Sequence, residues 1–467
     1  MLSRPDPTFY PSPRMAMDAP RERVAYVTAP DANAVLGRPN ALRDGLATVD
    51  LDPKSATYGQ IIDMAEVPNF GDELHHSGWN ACSAALCPYA PHPHVERRYL
   101  LLPALRSSRI YVFDTKPDPR KPQLVRTIEA EEIASRTGYS RPHTLHCGPN
   151  GIYVSALGNP KGDGPGGIFL LDCDSLNVLG RWEIDRGPQY LHYDFWWHLG
   201  YDTLISSEWG TPNMIENGVI PELLLGKKYG HHLHVWDLRK RKHVQALDIG
   251  DENQMALELR PAHDPTKAYG FMGVVISVVD LSASVWLWYR EGERWAIKKV
   301  ITIPAEPASK DQLPPLLQGF GAVPPLVTDI NLSLDDRFLY VSCWGTGELR
   351  QYDVSNPHEP KLVGSVHIGG IARRTPHPKS KGPLTGAPQM VEVSRDGKRV
   401  YFTSGLYTTW DEQFYPDGLK GWMVKVDVQD GGGISMDPDF FVDFGPRRAH
   451  QVRLEGGDTS SDSFCYP

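Results

Sequence analysis

The chain has 467 residues, of which 40% are hydrophobic and 22% charged, so it can bury a sizeable core. Its net charge of −9 and the lack of a large Lys/Arg cluster argue against a nucleic-acid partner. The sequence contains no run of about 18 apolar residues, so we expect no membrane-spanning helix.

Six cysteines are too few for a disulfide scaffold in a chain of this length, and they favour free thiols or ligands in a reducing compartment. The N-terminus lacks the apolar segment of a secretory signal. We therefore expect a cytoplasmic protein. We expect residues 1–22 to be an irregular segment and residues 23–467 to form a single domain.

One pattern recurs along the whole chain. A β-rich run ends in an aromatic or aliphatic residue followed by Asp, and turn residues and a second β-rich run follow. The pattern returns after about 63 residues on average. Its seven occurrences are Thr48-Val49-Asp50, Val112-Phe113-Asp114, Leu170-Leu171-Asp172, Val235-Trp236-Asp237, Leu287-Trp288-Tyr289 (without the Asp), Gln351-Tyr352-Asp353 and Lys425-Val426-Asp427.

A second hairpin precedes most of these markers, for example where Leu332–Arg337 turns into Phe338–Val341. Two hairpins per repeat make four antiparallel strands. Seven such repeats predict an all-β fold, a seven-bladed β-propeller. The first repeat lacks an inner strand, and the C-terminal run Ala449–Leu454 would supply it and close the ring.

The inner strand of each blade lines the central channel of a propeller, so polar residues at the starts of these strands are candidate site residues. The predicted starts are His75-His76-Ser77, His143-Thr144-Leu145-His146, Tyr193-Asp194-Phe195, Met255-Ala256-Leu257-Glu258, Thr328-Asp329-Ile330, Pro388-Gln389-Met390 and Ala449-His450-Gln451. In one blade the second strand ends at Glu208 and the third strand begins near His232, so we expect both residues at the same end of the channel.

The sequence therefore predicts a metal site of His76, His143, His232 and His450 at one end of the channel. Gathered imidazoles suit zinc, copper or iron. Nearby carboxylates (Asp194, Asp329 or Glu208) could orient the rings. Because side chains alternate along a strand, His75 and His76 are not both expected to be ligands, and His75 and His146 are substitutes. The alternative is a wet channel whose polar residues only bind water.

Cys82 lies six residues after His76 in the same segment. Beside a metal or a cationic imidazole it would be a reactive thiolate, and otherwise it is a small buried hydrophobe. Cys147, Cys173 and Cys343 lie inside strand patterns and are expected to be buried hydrophobes.

The sequence resembles the selenium-binding protein family, whose bacterial members include methanethiol oxidase. The resemblance spans residues from about 46 to 462, nearly the whole chain. It is carried by segments such as Asp72–Cys82, Tyr193–Trp196, Thr328–Ile330, Leu332–Tyr340, Arg350–Asp353, Pro388–Met390, Gln413–Pro416 and Ala449-His450.

This resemblance implies a β-propeller that oxidises methanethiol with O2 and water, using copper, to formaldehyde, hydrogen sulfide and hydrogen peroxide. Cys82 matches the family's selenium-binding cysteine, although the second cysteine usual three residues later is Ala85 here. Cys82, Glu208 and Asp329 are the expected catalytic residues.

Zinc is the alternative metal, and the sequence leaves open whether selenium binds at Cys82. The alternative functions are a selenium- or metal-binding propeller without turnover and a scaffold for partner proteins. The sequence leaves the oligomeric state open.

Overall fold

A computed structural model describes residues 8–87, 92 and 94–467. Seven four-stranded antiparallel sheets follow one another along the chain, which confirms the predicted seven-bladed propeller. Blades 1 to 7 are numbered in chain order.

From the inner to the outer strand, the blades are as follows: blade 1, Val452–Leu454, Val24–Ala29, Gly45–Asp50 and Ile61–Glu66; blade 2, Gly78–Trp79, Tyr99–Pro103, Ile110–Asp114 and Gln123–Ile128; blade 3, Ser140–Gly148, Gly151–Gly158, Gly167–Leu171 and Val178–Arg181; blade 4, Phe195–His198, Thr203–Ser206, His232–Asp237 and Lys242–Asp248; blade 5, Asn253–Pro261, Tyr269–Ser277, Ala283–Glu291 and Arg294–Ile303; blade 6, Val327–Leu332, Phe338–Cys343, Glu348–Asp353 and Lys361–His367; blade 7, Val391–Val393, Arg399–Thr403, Trp422–Val428 and Ile434–Asp443.

The remaining elements lie between or beside the blades. They are a two-stranded sheet (Glu306–Pro307 with Ala322–Val323), the α-helices Pro13–Met17, Ala32–Leu36, Ala130–Thr137, Pro212–Ile215, Pro221–Leu225 and Thr408–Phe414, and the 3-10 helices Ser83–Leu86, Leu199–Tyr201 and Lys310–Gln312. Among the described residues, no helix is long and apolar enough to cross a lipid bilayer.

The repeated Asp marker has a local cause. It lies within one residue of the end of the third strand in six blades, and in five of them (Asp50, Asp114, Asp172, Asp237 and Asp353) its carboxylate accepts backbone N–H groups of the turn that follows. Asp50 accepts from Asp52 N at 3.0 Å, and Asp353 accepts from Ser355 N at 2.9 Å. This side-chain turn fixes where the chain reverses, so the marker recurs once per blade.

The ring closes as predicted. The C-terminal strand Val452–Leu454 pairs antiparallel with Val24–Ala29, with Val27 opposite Val452 and Ala25 opposite Leu454. The two ends of the chain therefore share blade 1, and the C-terminal strand covers the inner edge of Val24–Ala29.

Several inner strands contain a bulge near their first residues. The register of blade 3 shifts between Pro142 and Leu145, and that of blade 5 shifts between Ala256 and Leu259. The residues just before these shifts, Arg141 and Met255, have φ of 56° and 65°. A bulge re-aims the side chains of the unpaired residues, here at the end of the channel where the inner strands begin. We call this the upper end.

The residues after the C-terminal strand close the opposite, lower end of the channel. The Asp462 carboxylate accepts hydrogen bonds from Arg97 of blade 2 and Arg395 of blade 7. Ser463 Oγ accepts from Trp197 Nε1, and Thr459 Oγ1 donates to Asn331 Oδ1 at 3.0 Å. Residues 457–464 are buried, so this segment plugs the channel from below.

Candidate metal centre

Four histidines from three blades meet at the upper end of the channel. His75, His76, His143 and His450 are each at most 2% exposed. The ring centroids of His75 and His450 lie 3.8 Å apart, those of His76 and His143 lie 3.9 Å apart, and those of His75 and His143 lie 5.0 Å apart. The predicted convergence of His76, His143 and His450 is therefore present in the structure.

His75 and His76 both face this cluster, which the alternation argument did not predict. They lie between an isolated bridge at Leu74 and the short strand that begins at Gly78, so they have no ladder partners to impose alternation. Their rings are nearly parallel, 9° apart in plane and 5.1 Å apart in centroid. A Cβ on Gly78 would lie 2.5 Å from the Leu145 carbonyl oxygen, so glycine allows blades 2 and 3 to approach here.

The ring nitrogens are arranged as metal ligands would be. Nε2 of His76, His143 and His450 has no hydrogen-bond partner among the described residues. His450 Nδ1 lies 2.7 Å from the Gly405 carbonyl oxygen, which fixes the proton on Nδ1 and leaves the Nε2 lone pair free. Ligand atoms of His75, His76 and His143 all lie within 4.8 Å of one another.

Thr144 orients two of the rings. Its hydroxyl oxygen lies 3.1 Å from His143 Nδ1 and 3.4 Å from His76 Nδ1. A hydroxyl oxygen has two acceptor lone pairs, so it can accept from both Nδ1–H groups. Both Nε2 atoms are then the free ones, and the site offers neutral imidazole donors.

Burial keeps these imidazoles neutral. It lowers the pKa of His75, His76 and His143 well below 6.5, and neighbouring rings lower these values further. Burial also lowers the pKa of His450 to about 4. Since only a neutral imidazole can bind a metal, these histidines are able to bind one at neutral pH.

The same shifts predict how the stability of the metal-free protein depends on pH. The unfolded chain takes up protons on these histidines below pH 6.5, whereas the folded chain does not until the pH approaches each lowered pKa. Each buried histidine therefore removes up to about 1.4 kcal/mol of stability per pH unit below 6.5. For His450 this loss runs from pH 6.5 to about 4.

Urea unfolding at pH 7.5, 6.0 and 5.0 measures this slope. In a His143→Gln variant the unfolding free energy should fall less steeply with decreasing pH, because one fewer histidine takes up a proton on unfolding. A wild-type free energy that does not fall between pH 7.5 and 5.0 would contradict the expectation.

A small, mostly apolar cavity lies against the cluster. It measures about 10 Å³, which is room for roughly one water molecule. It is lined by His75, Tyr193, Trp209, Met255, Leu257, Val275, Thr328, Leu406 and Trp410. The indole rings of Trp209 and Trp410 lie 5.4 Å apart. The cavity therefore suits a ligand of very few heavy atoms.

One carboxylate that reaches the histidines is Glu258. Its Oε1 lies 3.7 Å from His76 Nε2 and accepts a 2.8 Å hydrogen bond from the Tyr193 hydroxyl. The Tyr193 ring lies 4.3 Å from that of His143. Glu258 occupies the blade 5 bulge, between the register points Ala256 and Leu259. The sequence places it at an inner-strand start, but no motif there distinguishes it from other strand residues.

His232 and Glu208 lie in a different group. Glu208 Oε2 is 3.2 Å from His232 Nδ1, and Glu208 Oε1 is 2.9 Å from His234 Nε2. No ring contact in the described structure joins His232 to the channel histidines, and its ring neighbours are instead His231 and His234. His232 begins a third strand, and two strand spacings of about 4.8 Å separate a third strand from an inner one.

His146 and Asp329 also have other neighbours. The His146 ring packs on Trp196, with centroids 3.8 Å apart, so it belongs to the core between blades 3 and 4. Asp329 accepts from Arg260 at 3.1 Å and from Val391 N at 2.7 Å, which fastens blades 5, 6 and 7 together. Asp194 accepts from Leu259 N of blade 5 at 2.8 Å in the same way. These two aspartates join blades and do not hydrogen-bond to the imidazoles.

Comparison with known proteins decides the family. The family description "56kDa selenium binding protein" matches residues 3–465. The chain belongs to the 56 kDa selenium-binding protein family. It is 42% identical to a protein named methanethiol oxidase from Xenopus laevis and 40% identical to selenium-binding protein 2 of Mus musculus, each alignment covering 97% of both chains.

A solved member of the selenium-binding family has the same architecture. The X-ray structure of a hypothetical selenium-binding protein from Sulfolobus tokodaii is 58% identical to this chain. It matches with a TM-score of 0.95 over 99% of this chain and all of the other.

Cys82, which the resemblance suggested as a selenium-binding cysteine, lies apart from the histidines. It is 2% exposed, and its thiol donates a 2.8 Å hydrogen bond to the Cys147 carbonyl oxygen. The inner strand of blade 3 places Cys147 four residues beyond His143, at most about 13 Å further along the strand. Cys82 therefore belongs to the lower part of the blade 2–blade 3 boundary.

Proposed function

We propose that this chain oxidises a very small thiol, methanethiol, with O2 and water to formaldehyde, hydrogen sulfide and hydrogen peroxide. The observation that carries the proposal is the cluster of buried imidazoles with unpartnered Nε2 atoms beside a small apolar cavity. The relative from Xenopus laevis that bears the name methanethiol oxidase supports it over nearly the full length.

His75, His76, His143 and His450 would hold a copper ion, and this donor set fits one. Their neutral nitrogens suit copper or zinc, and by the general affinity order copper binds such sites more tightly. Copper would supply the redox chemistry that transfers electrons from the thiol to O2, whereas zinc has no redox chemistry to supply.

The protein's own residues would orient the thiol and move its protons. Trp209, Trp410 and Leu406 exclude water and leave space for a methyl group. Glu258, held by Tyr193, is the carboxylate placed to take up a proton from a group bound at His76. Glu208 and Asp329, which the sequence suggested for this task, are engaged with other partners.

The direct test is turnover. Copper-loaded protein given methanethiol should release hydrogen peroxide and hydrogen sulfide in equal amounts. A zinc-loaded sample of the same preparation should release neither. Copper-loaded protein without turnover would leave the metal-binding propeller as the better description.

Exchanging two glutamates distinguishes the proposed general base from the one that the sequence suggested. Glu258→Gln should lower kcat about 100-fold while the copper content stays unchanged, because general-base catalysis contributes roughly 10²–10⁴-fold. Glu208→Gln, the matched change in the neighbouring blade, should keep kcat within about twofold. Steady-state peroxide release measures both, and the opposite ranking would assign the role to Glu208.

Cys82→Ser should leave thiol oxidation within about twofold of the unchanged chain, because the Cys82 thiol points to the Cys147 carbonyl and not to the histidine cluster. Selenium binding, measured by elemental analysis after selenite treatment, should be lost. A large fall in turnover with full copper content would instead place Cys82 in the reaction.

A further inference from the structure

A second group of metal-ligating side chains lies near the lower end of the channel. Ligand atoms of His92, Cys147 and Cys173 all lie within 4.8 Å of one another. The Cys147 thiol sulfur is 3.8 Å from His92 Nε2. Cys147 is 1% exposed and Cys173 is 8% exposed, and neither forms a disulfide.

Three different elements bring this group together. Cys147 lies near the end of the inner strand of blade 3. Cys173 follows the third strand of that blade by two residues, and His92 precedes the second strand of blade 2. Inner and third strands run in the same direction, so both end on the lower side. The histidine cluster lies at the start of the inner strand, at most about 13 Å away along it.

We propose that His92, Cys147 and Cys173 form a second metal site, which binds Cu(I). The proposal does not depend on the oxidase activity, because it concerns a separate set of donors. Thiolate sulfur and imidazole nitrogen are the ligands that soft d¹⁰ ions prefer.

The number and spacing of the donors favour Cu(I) over Zn(II). A trigonal site with bonds of about 2.3 Å needs its donors about 4.0 Å apart, which side chains within 4.8 Å reach by small rotations. Structural Zn(II) takes four ligands. Among the described residues, no fourth His, Cys, Asp or Glu shares the mutual spacing of this group. The nearby Cys82 thiol is directed to the Cys147 carbonyl oxygen.

The test uses the full chain with the upper site removed, as the His76→Ala/His143→Ala variant. This protein is reduced, titrated anaerobically with Cu(I) against the chelator bicinchoninate, and examined by copper X-ray absorption. We expect one tightly bound Cu(I) per chain with sulfur among the atoms bonded to copper. Adding Cys173→Ser should weaken Cu(I) binding at least tenfold and reduce the contribution of sulfur ligands to the copper X-ray absorption spectrum.

Two further variants control for damage to the fold. Cys343→Ser alters another buried strand cysteine, in blade 6, and should leave Cu(I) binding unchanged. His92→Ala alters a half-buried loop residue and should weaken binding like Cys173→Ser. Copper without sulfur ligands, or equal losses in the Cys173 and Cys343 variants, would overturn the proposal. Zn(II) that displaces Cu(I) from this site in equimolar competition would overturn the choice of metal.

Discussion

The His76→Ala/His143→Ala double variant should lose both copper and thiol oxidation. The change removes two buried Nε2 atoms that have no hydrogen-bond partner among the described residues, and His75 and His450 alone are too few to hold the ion. Since even altering residues that only orient metal ligands costs about 10–100-fold in affinity or activity, we expect turnover to fall by more than about 100-fold. Elemental analysis measures the loss of copper, in a background that also carries Cys173→Ser so that the lower site does not contribute. Peroxide release measures the loss of turnover.

His146→Phe is the matched control for this experiment. His146 is also a buried histidine of the blade 3 inner strand, but its ring packs on Trp196, and phenylalanine keeps that packing. The control should keep its copper and its turnover. A double variant that retains both would show that the histidine cluster is not the catalytic centre.

Asp462→Ala should destabilise the protein more than any other single change discussed here. The Asp462 side chain is fully buried between the guanidinium groups of Arg97 and Arg395. Its removal leaves two buried cations without their shared carboxylate, and breaking such a pair costs about 3–5 kcal/mol. The free energy of unfolding in urea measures the loss.

Asp439→Ala is the comparison on the surface. Asp439 is 82% exposed and lies 3.6 Å from Lys379, an ion pair that water screens. Its removal should leave the unfolding midpoint unchanged. Equal effects of the two substitutions would contradict the view that the C-terminal segment holds the lower end of the channel together.

The blade count was predictable because its signal is local. An Asp that accepts the N–H groups of its own turn marks the end of a third strand, and the distance between turns equals the length of a blade. The closure of blade 1 followed from the same count, because one inner strand was missing at the start of the chain and one was left over at its end.

The membership of the site was predictable only in part. The inner-strand histidines converge because every inner strand faces the axis, whereas His232 does not, because a third strand lies two strand spacings further out. The expectation that His75 and His76 point apart assumed a regular strand, and this segment is not one. Glu258 reaches the cluster through a bulge that its local sequence does not mark.

The thiol group illustrates the same limit. Cys147 and Cys173 each look like an ordinary buried strand residue, and only the folded structure places them beside each other and His92.

The sequence by itself determined the repeat, the number of strands and the family, because turn chemistry and residue alternation act between neighbours in the chain. Only the tertiary structure decided which side chains share a site. Bulges, strand order and the C-terminal plug set those distances between residues up to hundreds of positions apart.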